Sequence, residues 1–384
     1  MSSMLRNLIL LGLTSFFTDA SSELLNPLLP LFIITIGGNV AILGLIAGLG
    51  EFFSYVIRVF SGFFSDKKGK RLPYIFLGYT ISAISKFFYI FSFHWLIVLI
   101  CRLADRTGKG IRDAPRDALI ANISASKVRG KAFAIHRSLD TLGGIVGALL
   151  ALFLFSYLNL PFYLIFIIAS FLAFLSLIPL KFVRDVKFKP NHTFFTKNIK
   201  TLPKSLISAI LIISLFHLVY FNFMILVWRS VSILNMPLHQ ATSLTLIFYL
   251  IFNIVYAVLS IPSGLLFDKF GRKNVIVFGY LVYALMCFSF LNANNFTSLI
   301  LAFLLFGIFK ALVEGNHKAY ISSFVTKEKE GVAIGLFYTI IGSIMLLGNT
   351  IAGLLWQLIN AELIFTIAII ISLISAALLF FFKE

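Results

Sequence analysis

Apolar runs of about 20 residues, separated by short polar turns, repeat along the whole chain of 384 residues. A helix needs a run of this length to cross the hydrocarbon core of a bilayer. Hydrophobic residues make up 60% of the sequence and charged residues only 12%, which is more apolar surface than a soluble domain of this size can bury. The sequence therefore predicts an all-α membrane protein surrounded largely by lipid.

Twelve such runs can be counted, and each predicts one transmembrane helix. The predicted spans, numbered 1 to 12 in chain order, are 6–36, 41–64, 72–93, 96–122, 131–157, 161–183, 204–234, 242–267, 274–292, 297–323, 331–357 and 361–382. The segment between spans 6 and 7 is polar, basic and contains prolines, as a linker would. We therefore predict three parts: an N-terminal six-helix bundle (1–183), a cytoplasmic basic linker (184–203) and a C-terminal six-helix bundle (204–384).

Lysine and arginine are concentrated in the turns on one side of these spans and in the linker. Cytoplasmic loops of membrane proteins carry an excess of these residues, so both termini and the linker are predicted to be cytoplasmic, in a multi-pass plasma-membrane protein. The formal net charge of +17 then indicates contact with anionic membrane lipids and not with nucleic acid. The apolar start of the chain has no small-residue cleavage site and is predicted to be an uncleaved first helix.

Two basic turns show that the halves of the chain are related. The sequence from Gly62 to Arg71 (GFFSDKKGKR) is repeated 202 positions later as GLLFDKFGRK, and each turn joins two apolar spans. A second pair, DAPRDALI at 113–120 and EGNHKAYI at 314–321, aligns without gaps at an offset of 201. Two matches at nearly one offset indicate a duplicated half, an arrangement found in many transporter folds.

The first basic turn matches the signature Gly-x-x-x-Asp-[Arg/Lys]-x-Gly-[Arg/Lys]-[Arg/Lys] of the major facilitator superfamily, and the chain resembles that family over nearly its whole length. The run from Asp105 to Ile120 (DRTGKGIRDAPRDALI) resembles a bacterial and archaeal permease subgroup. The resemblance implies twelve helices in two pseudo-symmetric bundles and secondary transport by alternating access around a central cavity. It also implies a monomer without cofactors.

The turn residues and the lower part of span 4 are predicted to form a cytoplasmic gate. Glycines permit close helix approach and the positive φ of a tight reversal, while an aspartate can cap a helix N-terminus. A plain capped turn with lipid-facing lysines is the structural alternative. The predicted gate residues are Gly62, Asp66, Gly69, Arg71, Asp113, Arg116, Asp117, Arg137, Asp268 and Gly271.

Charged side chains inside the spans are expensive to bury and therefore mark candidate functional positions. In span 4 they recur every three to four residues, which places them on one helix face. The candidates for a substrate and proton cavity are Asp19, Glu23, Glu51, Arg102, Asp105, Arg106, Asp140 and His217. Arg102 corresponds to a helix-4 arginine that the family resemblance links to proton coupling. For any one of them, a static ion pair, or a hydrogen-bonded interior histidine, is the alternative.

Several functions remain open at this stage. The near balance of charges in the N-terminal half favours a small charged or zwitterionic solute, with protons as the coupling ion. Efflux of amphipathic cations by proton antiport is the alternative. The family resemblance implies that such antiporters often have a Gly-Pro-x-x-Gly-Gly element in helix 5, whereas span 5 has Gly143 and Gly147 but no proline there, which argues against export. No catalytic motif, metal motif or cofactor loop indicates an enzyme, and a receptor would be expected to carry a further soluble domain. Cys101 and Cys287 are predicted to be buried thiols.

Overall fold

The computed structural model describes residues 3–124, 129–186 and 202–383. These residues form helices joined by short turns. In chain order the α-helices are α1 (Ser3–Leu25), α2 (Leu29–Thr35), α3 (Val40–Lys68), α4 (Leu72–Phe88), α5 (Trp95–Ile123), α6 (Arg129–Leu152), α7 (Phe162–Leu175), α8 (Leu177–Leu180), α9 (Lys204–Leu218), α10 (Phe223–Ile233), α11 (Leu238–Phe270), α12 (Arg272–Leu291), α13 (Phe296–Val313), α14 (Asn316–Ser322), α15 (Lys327–Leu358) and α16 (Ala361–Phe381). A 3₁₀ turn (Tyr89–Phe91) extends α4, and a π-helical turn (Phe153–Tyr157) extends α6.

All twelve predicted spans coincide with these helices. Within the described residues, eleven spans are long and apolar enough to cross a membrane. The predicted span 4 is α5, which has 29 residues but carries the row of charged side chains. The predicted spans 1, 7 and 10 are each interrupted, into α1 and α2, α9 and α10, and α13 and α14. The prediction of an all-helical membrane protein is confirmed.

The distribution of side chains is that of a protein in lipid. Large apolar side chains are exposed along the helices, as at Phe171 (65% exposed) and Ile100 (65% exposed), where they can contact acyl chains. Charged side chains are buried instead, among them Lys86 at 1% and Arg102 at 3% exposed. Burying charge while exposing phenylalanine is favourable only where the surrounding medium is hydrocarbon.

The described chain forms two compact units. Unit 1 comprises residues 1–38 and 49–193, and unit 2 comprises residues 39–48 and 194–384. In unit 1, α1 packs along α6 and α4 packs along α5. Glycine permits the second of these contacts, because a Cβ atom on Gly108 would lie only 2.6 Å from the carbonyl oxygen of Gly78.

Unit 2 is built around α12, which packs against both α13 and α16, while α13 also packs on α11. Its interior is aromatic and apolar, with Phe290, Phe303 and Phe365 fully buried. Cys287 is buried in this core and Cys101 is buried in unit 1, and both are free thiols, as predicted.

The predicted linker is described only at its two ends, and residues 187–201 lie outside the described residues. Its first residues are bound to unit 1. The side chain of Asn7 donates to the carbonyl oxygen of Arg184 (3.0 Å) and accepts from the Arg184 amide (3.2 Å). The domain boundaries at 183/184 and 203/204 stay a prediction.

Candidate functional site

The break between α1 and α2 lies beside the candidate cavity residues of unit 1. Pro27 and Pro30 cannot donate backbone hydrogen bonds, so the chain leaves the helix at Asn26 and re-enters it at Leu29. The side chain of Asn26 connects two charged residues. Its Nδ2 atom donates to Glu23 Oε1 (2.8 Å), and its Oδ1 atom accepts from Arg102 Nη1 (2.9 Å). A helix break, a carboxylate and an arginine are thus joined at one point.

The charged face of α5 is turned into unit 1, as its spacing predicted. Arg102, Asp105, Arg106, Arg112 and Asp113 are all less than a tenth exposed. The repeat of three to four residues brings them to one side of the helix, which packs on α4. The stripe is therefore an interior feature of the membrane domain.

Asp105 has both a hydroxyl and several cations around it. It accepts a hydrogen bond from Ser82 Oγ at 2.7 Å, and Arg102 Nη1 lies 3.9 Å from its Oδ2. Lys86 is the charge that acts most strongly on it, followed by Arg106. Residues of α4 and α5 thus meet at this carboxylate.

Lys86 is a site residue that was absent from the predicted cavity. Its ammonium group, on α4, donates to Ser22 Oγ at 2.7 Å and to the carbonyl oxygen of Thr18 at 3.3 Å, both on α1. Its side chain therefore bridges α1 and α4 beside Asp105. The signal was present in the sequence, because a lysine in the middle of an apolar span is costly unless it is paired.

Arg106 differs from its neighbours because, among the described residues, its guanidinium takes part in no hydrogen bond or ion pair, whereas Arg112, whose Nε atom is also without a partner, donates to Ser82 through Nη1. The Arg106 side chain is 8% exposed, and in the described part of the chain its Nε atom has no hydrogen-bond partner. Glu51, Asp105 and Glu23 act on the guanidinium electrostatically. A buried donor without an acceptor costs about 1–3 kcal/mol, so this group can gain free energy by binding an external acceptor.

Asp19 and Asp140 form a carboxyl pair between α1 and α6. The charge of Asp140 acts on Asp19, and Arg137 Nη1 is 3.2 Å from Asp140 Oδ2. Two carboxylates that are both ionised repel each other, and Arg137 offsets part of that repulsion. Gly147 permits the close approach of α6 to α1 here, because a Cβ atom at this position would lie 2.9 Å from Glu23 Cβ.

The predicted gate residues of the first basic turn are arranged around Arg71. Asp66 forms an ion pair with Arg71, and Gly69 has the positive φ (64°) expected of the reversal. Burial lowers the pKa of Arg71, and the charges of Asp66 and Asp185 oppose this shift. Gly62 makes an ordinary contact, with a Cβ atom at this position 3.4 Å from Ala114 Cβ.

Asp185 fills the capping role for which Asp66 was a candidate. Its Oδ2 atom accepts from the backbone N–H groups of Arg71 and Leu72, each at 3.1 Å, at the N-terminus of α4. The position follows span 6 in the sequence, in the segment assigned to the linker. Its role depends on a contact more than 110 residues away along the chain, which local pattern does not reveal.

The lower part of α5 contains the remaining predicted gate charges of unit 1. Asp113 forms ion pairs with Arg58 of α3 and with Arg116, whose Nη1 lies 3.5 Å away. Arg116 also contacts Asp117 at 3.1 Å. Arg137, on α6, forms an ion pair with Asp140 of its own helix, and Arg116 also acts on Asp140; its place in the gate stays a prediction.

Three of the predicted positions belong to unit 2. His217 is buried near the end of α9, with Nδ1 2.9 Å from the carbonyl oxygen of Ile213. Gly271 has φ +82° between α11 and α12, as the repeated turn predicts. The backbone at Asp268 is helical, but its side chain lies outside the described part of the structure.

Residues 3–124, 129–186 and 202–383 contain no group of three or more His, Cys, Asp or Glu side chains placed to hold a metal ion. The candidate cavity residues of unit 1 are charged and hydrogen-bonding side chains that are buried or half-buried among transmembrane helices.

Comparison with known proteins assigns the family. The Major Facilitator Superfamily model matches residues 11–252 and, a second time, residues 209–384. An MFS-type transporter of Methanocaldococcus jannaschii, MJ1317, is 41% identical over 378 residues, which cover 98% of this chain and 94% of that protein. The multidrug resistance protein MdtH of Photorhabdus laumondii is 28% identical over 127 residues, 33% of this chain and 31% of that protein.

A solved structure of the nucleoside transporter NupG has the same fold. Its TM-score is 0.81 at 14% sequence identity, with 98% of this chain and 100% of that chain covered. The family model and the relative from M. jannaschii both extend over nearly the whole chain, in agreement with the helices described above. This chain belongs to the Major Facilitator Superfamily and is a multi-pass membrane transporter.

Proposed function

We propose that this protein transports a small charged or zwitterionic solute by alternating access and couples the transport to protons. Arg106 is the observation that carries the proposal. A guanidinium that is buried and retains an unused donor is suited to a carboxylate or phosphate, which it can bind with charge-assisted hydrogen bonds.

The surroundings of Arg106 favour a solute that also has a positive group. Glu23 and Glu51 both act on the guanidinium and lie on α1 and α3, so two helices present carboxylates near the same arginine. A zwitterion would place its anionic group on Arg106 and its ammonium group toward these carboxylates. A simple anion would use Arg106 alone and would meet repulsion from both glutamates.

The carboxyl pair of Asp19 and Asp140 is the proposed proton carrier. In this proposal the two groups share one proton, which removes their mutual repulsion, and Arg137 stabilises the ionised partner. Loss of this proton would place two negative charges side by side and separate α1 from α6 at their contact. Protonation is thereby linked to the packing of two transmembrane helices.

The gate, the membrane orientation and the assembly state complete the proposal. The ion pairs around Arg71, Asp113 and Arg116 would open and close the cytoplasmic end of unit 1. The protein would be a monomer in the plasma membrane, with both termini in the cytoplasm. Its basic turns would contact anionic lipid.

Efflux of amphipathic cations by proton antiport is the second candidate. The similarity to MdtH over 127 residues supports it, because that protein is a multidrug resistance protein. Asp19 and Glu23 would then be the counter-charges for the cation. This candidate leaves the unused donor of Arg106 without a role, and for that reason it ranks second.

Thermal unfolding of the purified protein in detergent tests the proposal. The panel contains amino acids, organic acids, sugars, siderophores and lipophilic cations, each measured at two pH values. A ligand at about 100 times its dissociation constant adds about 2.7 kcal/mol of stability, which is readily measured. We expect an anionic or zwitterionic compound to stabilise the wild-type protein and to lose this effect in R106Q.

The matched control is R229Q, which removes an arginine of unit 2 that is paired with Glu362 at 2.9 Å. This variant should retain the response to the same compound. Stabilisation by lipophilic cations alone, unchanged in R106Q, would refute the metabolite proposal and establish the efflux candidate in its place.

A further inference from the structure

Unit 2 contains two interrupted transmembrane helices whose breaks each carry a histidine. The first break, at residues 219–222, separates α9 from α10, and His217 precedes it. The second, at Glu314 and Gly315, separates α13 from α14, and His317 follows it. Gly315 has φ +108°, a conformation that other residues rarely adopt, so glycine relieves backbone strain at this break.

The first break is stabilised by side chains from two other helices. Tyr283 Oη accepts from the amide of Phe221 (2.9 Å) and donates to the carbonyl oxygen of Val219 (2.6 Å). Asn349 Oδ1 accepts from the amide of Asn222 at 2.8 Å. Backbone groups freed inside a membrane must be satisfied in this way, and broken helices of transporters commonly lie at binding sites.

The two histidines meet inside unit 2. Their ring centroids are 5.1 Å apart, and the side chains are 5% and 6% exposed. His217 Nδ1 faces the carbonyl oxygen of Ile213, which can only accept, so Nδ1 carries the hydrogen and Nε2 is the basic atom of the neutral ring. His317 Nε2 is 2.9 Å from the hydroxyl of Tyr280, which can donate or accept.

The surroundings of the pair are aromatic. Tyr220 contacts the His217 ring edge to face at 5.7 Å, and Phe337 contacts the His317 ring at 6.3 Å. In the part of the chain that the structure describes, the titratable groups that contact the pair are two tyrosines, Tyr220 and Tyr280. Among the described residues, no carboxylate, lysine or arginine acts on either ring.

The neighbouring charges are already committed to each other. Lys310 Nζ lies 3.3 Å from Glu314 Oε2, and the lysine also lies over the ring of Tyr256 at 5.8 Å. A proton bound at the histidine pair would therefore be held by ring nitrogens and by the Tyr280 hydroxyl, with no fixed charge of the described residues acting on it.

We propose that His217 and His317 form a proton-binding site of unit 2, distinct from the carboxyl pair of unit 1, that holds one proton for the two rings. Two imidazolium charges at the observed separation would weaken binding of a second proton by about two orders of magnitude at an effective dielectric constant of ~20. The bound proton would be shared by groups on either side of two helix breaks, and it would thereby couple the positions of α9 and α14.

Solid-state NMR of the full-length protein in lipid bilayers, labelled with ¹⁵N-histidine, tests this site. Imidazole and imidazolium nitrogens have different shifts, and the pH is lowered from about 8 to about 5, the range in which histidines commonly titrate. We expect His217 and His317 together to take up one proton. Two imidazolium rings, or two rings that stay neutral throughout, would overturn the proposal.

Variants establish whether the two rings act as a pair. H317Q retains an amide for Tyr280, and H217N retains a donor for Ile213, so each keeps the neighbouring contact. Each replacement should shift the titration of the remaining histidine, whereas an unchanged titration would show that the rings are independent. H136Q, which alters a buried histidine of unit 1, is the control and should leave the pair unchanged.

Y280F provides a second perturbation that keeps both imidazoles in place. It removes the hydroxyl contact of His317 and should shift the titration of the pair without removing a ring. The readout requires no transported solute, so this proposal can fail while the proposed transport function stands, and the reverse also holds.

Discussion

Replacing Asp185 by alanine removes the only side-chain cap seen at the start of α4 in the described residues. Asp185 Oδ2 accepts two backbone hydrogen bonds of 3.1 Å, from Arg71 and from Leu72. The carboxylate also faces the positive end of the helix dipole. D185A therefore leaves two amide donors without their protein acceptor and removes a favourable charge at the same time.

The magnitude follows from these contacts. Hydrogen bonds to a charged group contribute about 1.5–3 kcal/mol each, but Asp185 is only partly buried, so water can replace part of what the carboxylate contributes. Loss of a helix cap costs about 0.5–2 kcal/mol in measured cases. We expect D185A to lower the free energy of unfolding by about 1–2 kcal/mol, and D185N to lower it by about half as much, because asparagine retains the acceptor but not the charge.

The assay is reversible unfolding of the purified protein in mixed micelles of increasing SDS content. D117A is the matched control, since Asp117 is 40% exposed in its ion pair with Arg116 and such pairs contribute less than about 1 kcal/mol. If D185A were no more destabilising than D117A, the capping argument would be wrong. An equal loss in D185N and D185A would assign the effect to charge alone.

Three further predictions concern unit 1. D19N should fold and bind solute but lose proton-coupled uptake in proteoliposomes, because asparagine cannot release a proton; normal coupled uptake would exclude α1 from the mechanism. G147A should lower the free energy of unfolding by about 1–3 kcal/mol through overpacking against α1, whereas G130A, whose Cβ would meet open space, should be nearly neutral; equal losses would contradict the packing argument. K86M should cost about 1–3 kcal/mol because Ser22 and the carbonyl of Thr18 lose their donor and Asp105 loses one of the cations around it; K86M/D105N should recover part of that loss, and strict additivity would show that Lys86 and Asp105 do not interact.

The spans, the first helix break and the buried face of α5 could all be predicted from local pattern. Apolar length determines a membrane helix, Asn26 with two prolines indicates where the first span leaves its helix, and a charge every three to four residues must lie on one face. The left-handed glycines of the two basic turns, Gly69 and Gly271, were predictable for the same reason.

The pairing of the charges could not be predicted, because it depends on contacts between distant segments. Arg137 and Asp140 are an exception, because they lie three residues apart on one helix and spacing alone predicts their contact. Lys86 lies near Asp105 only because α4 packs along α5, and Asp185 reaches α4 across more than 110 residues. The breaks at Val219 and Gly315 lack a proline, so no local signal distinguishes them from continuous helix.

The two halves of the chain carry different titratable residues at aligned positions. At an offset of 201, Arg116 of α5 aligns with His317, and Asp113 aligns with Glu314. In unit 1 the cation is permanent, and Arg116 is held by Asp113 at 3.5 Å and by a second aspartate. In unit 2 the aligned group can lose its charge, and the aligned glutamate pairs with a lysine of its own helix end instead.

This difference predicts that H317R, which places the arginine of unit 1 at the aligned position of unit 2, lowers the free energy of unfolding. An arginine at this position would be a permanent cation beside His217 with no carboxylate acting on it, and an uncompensated buried charge costs about 3–5 kcal/mol. R116H should cost less, because Asp113 keeps its ion pair with Arg58. Unfolding of both variants in SDS tests this expectation. If H317R is as stable as the wild-type protein, the aromatic surroundings of residue 317 accommodate a fixed charge, and the argument that this position requires a titratable group is wrong.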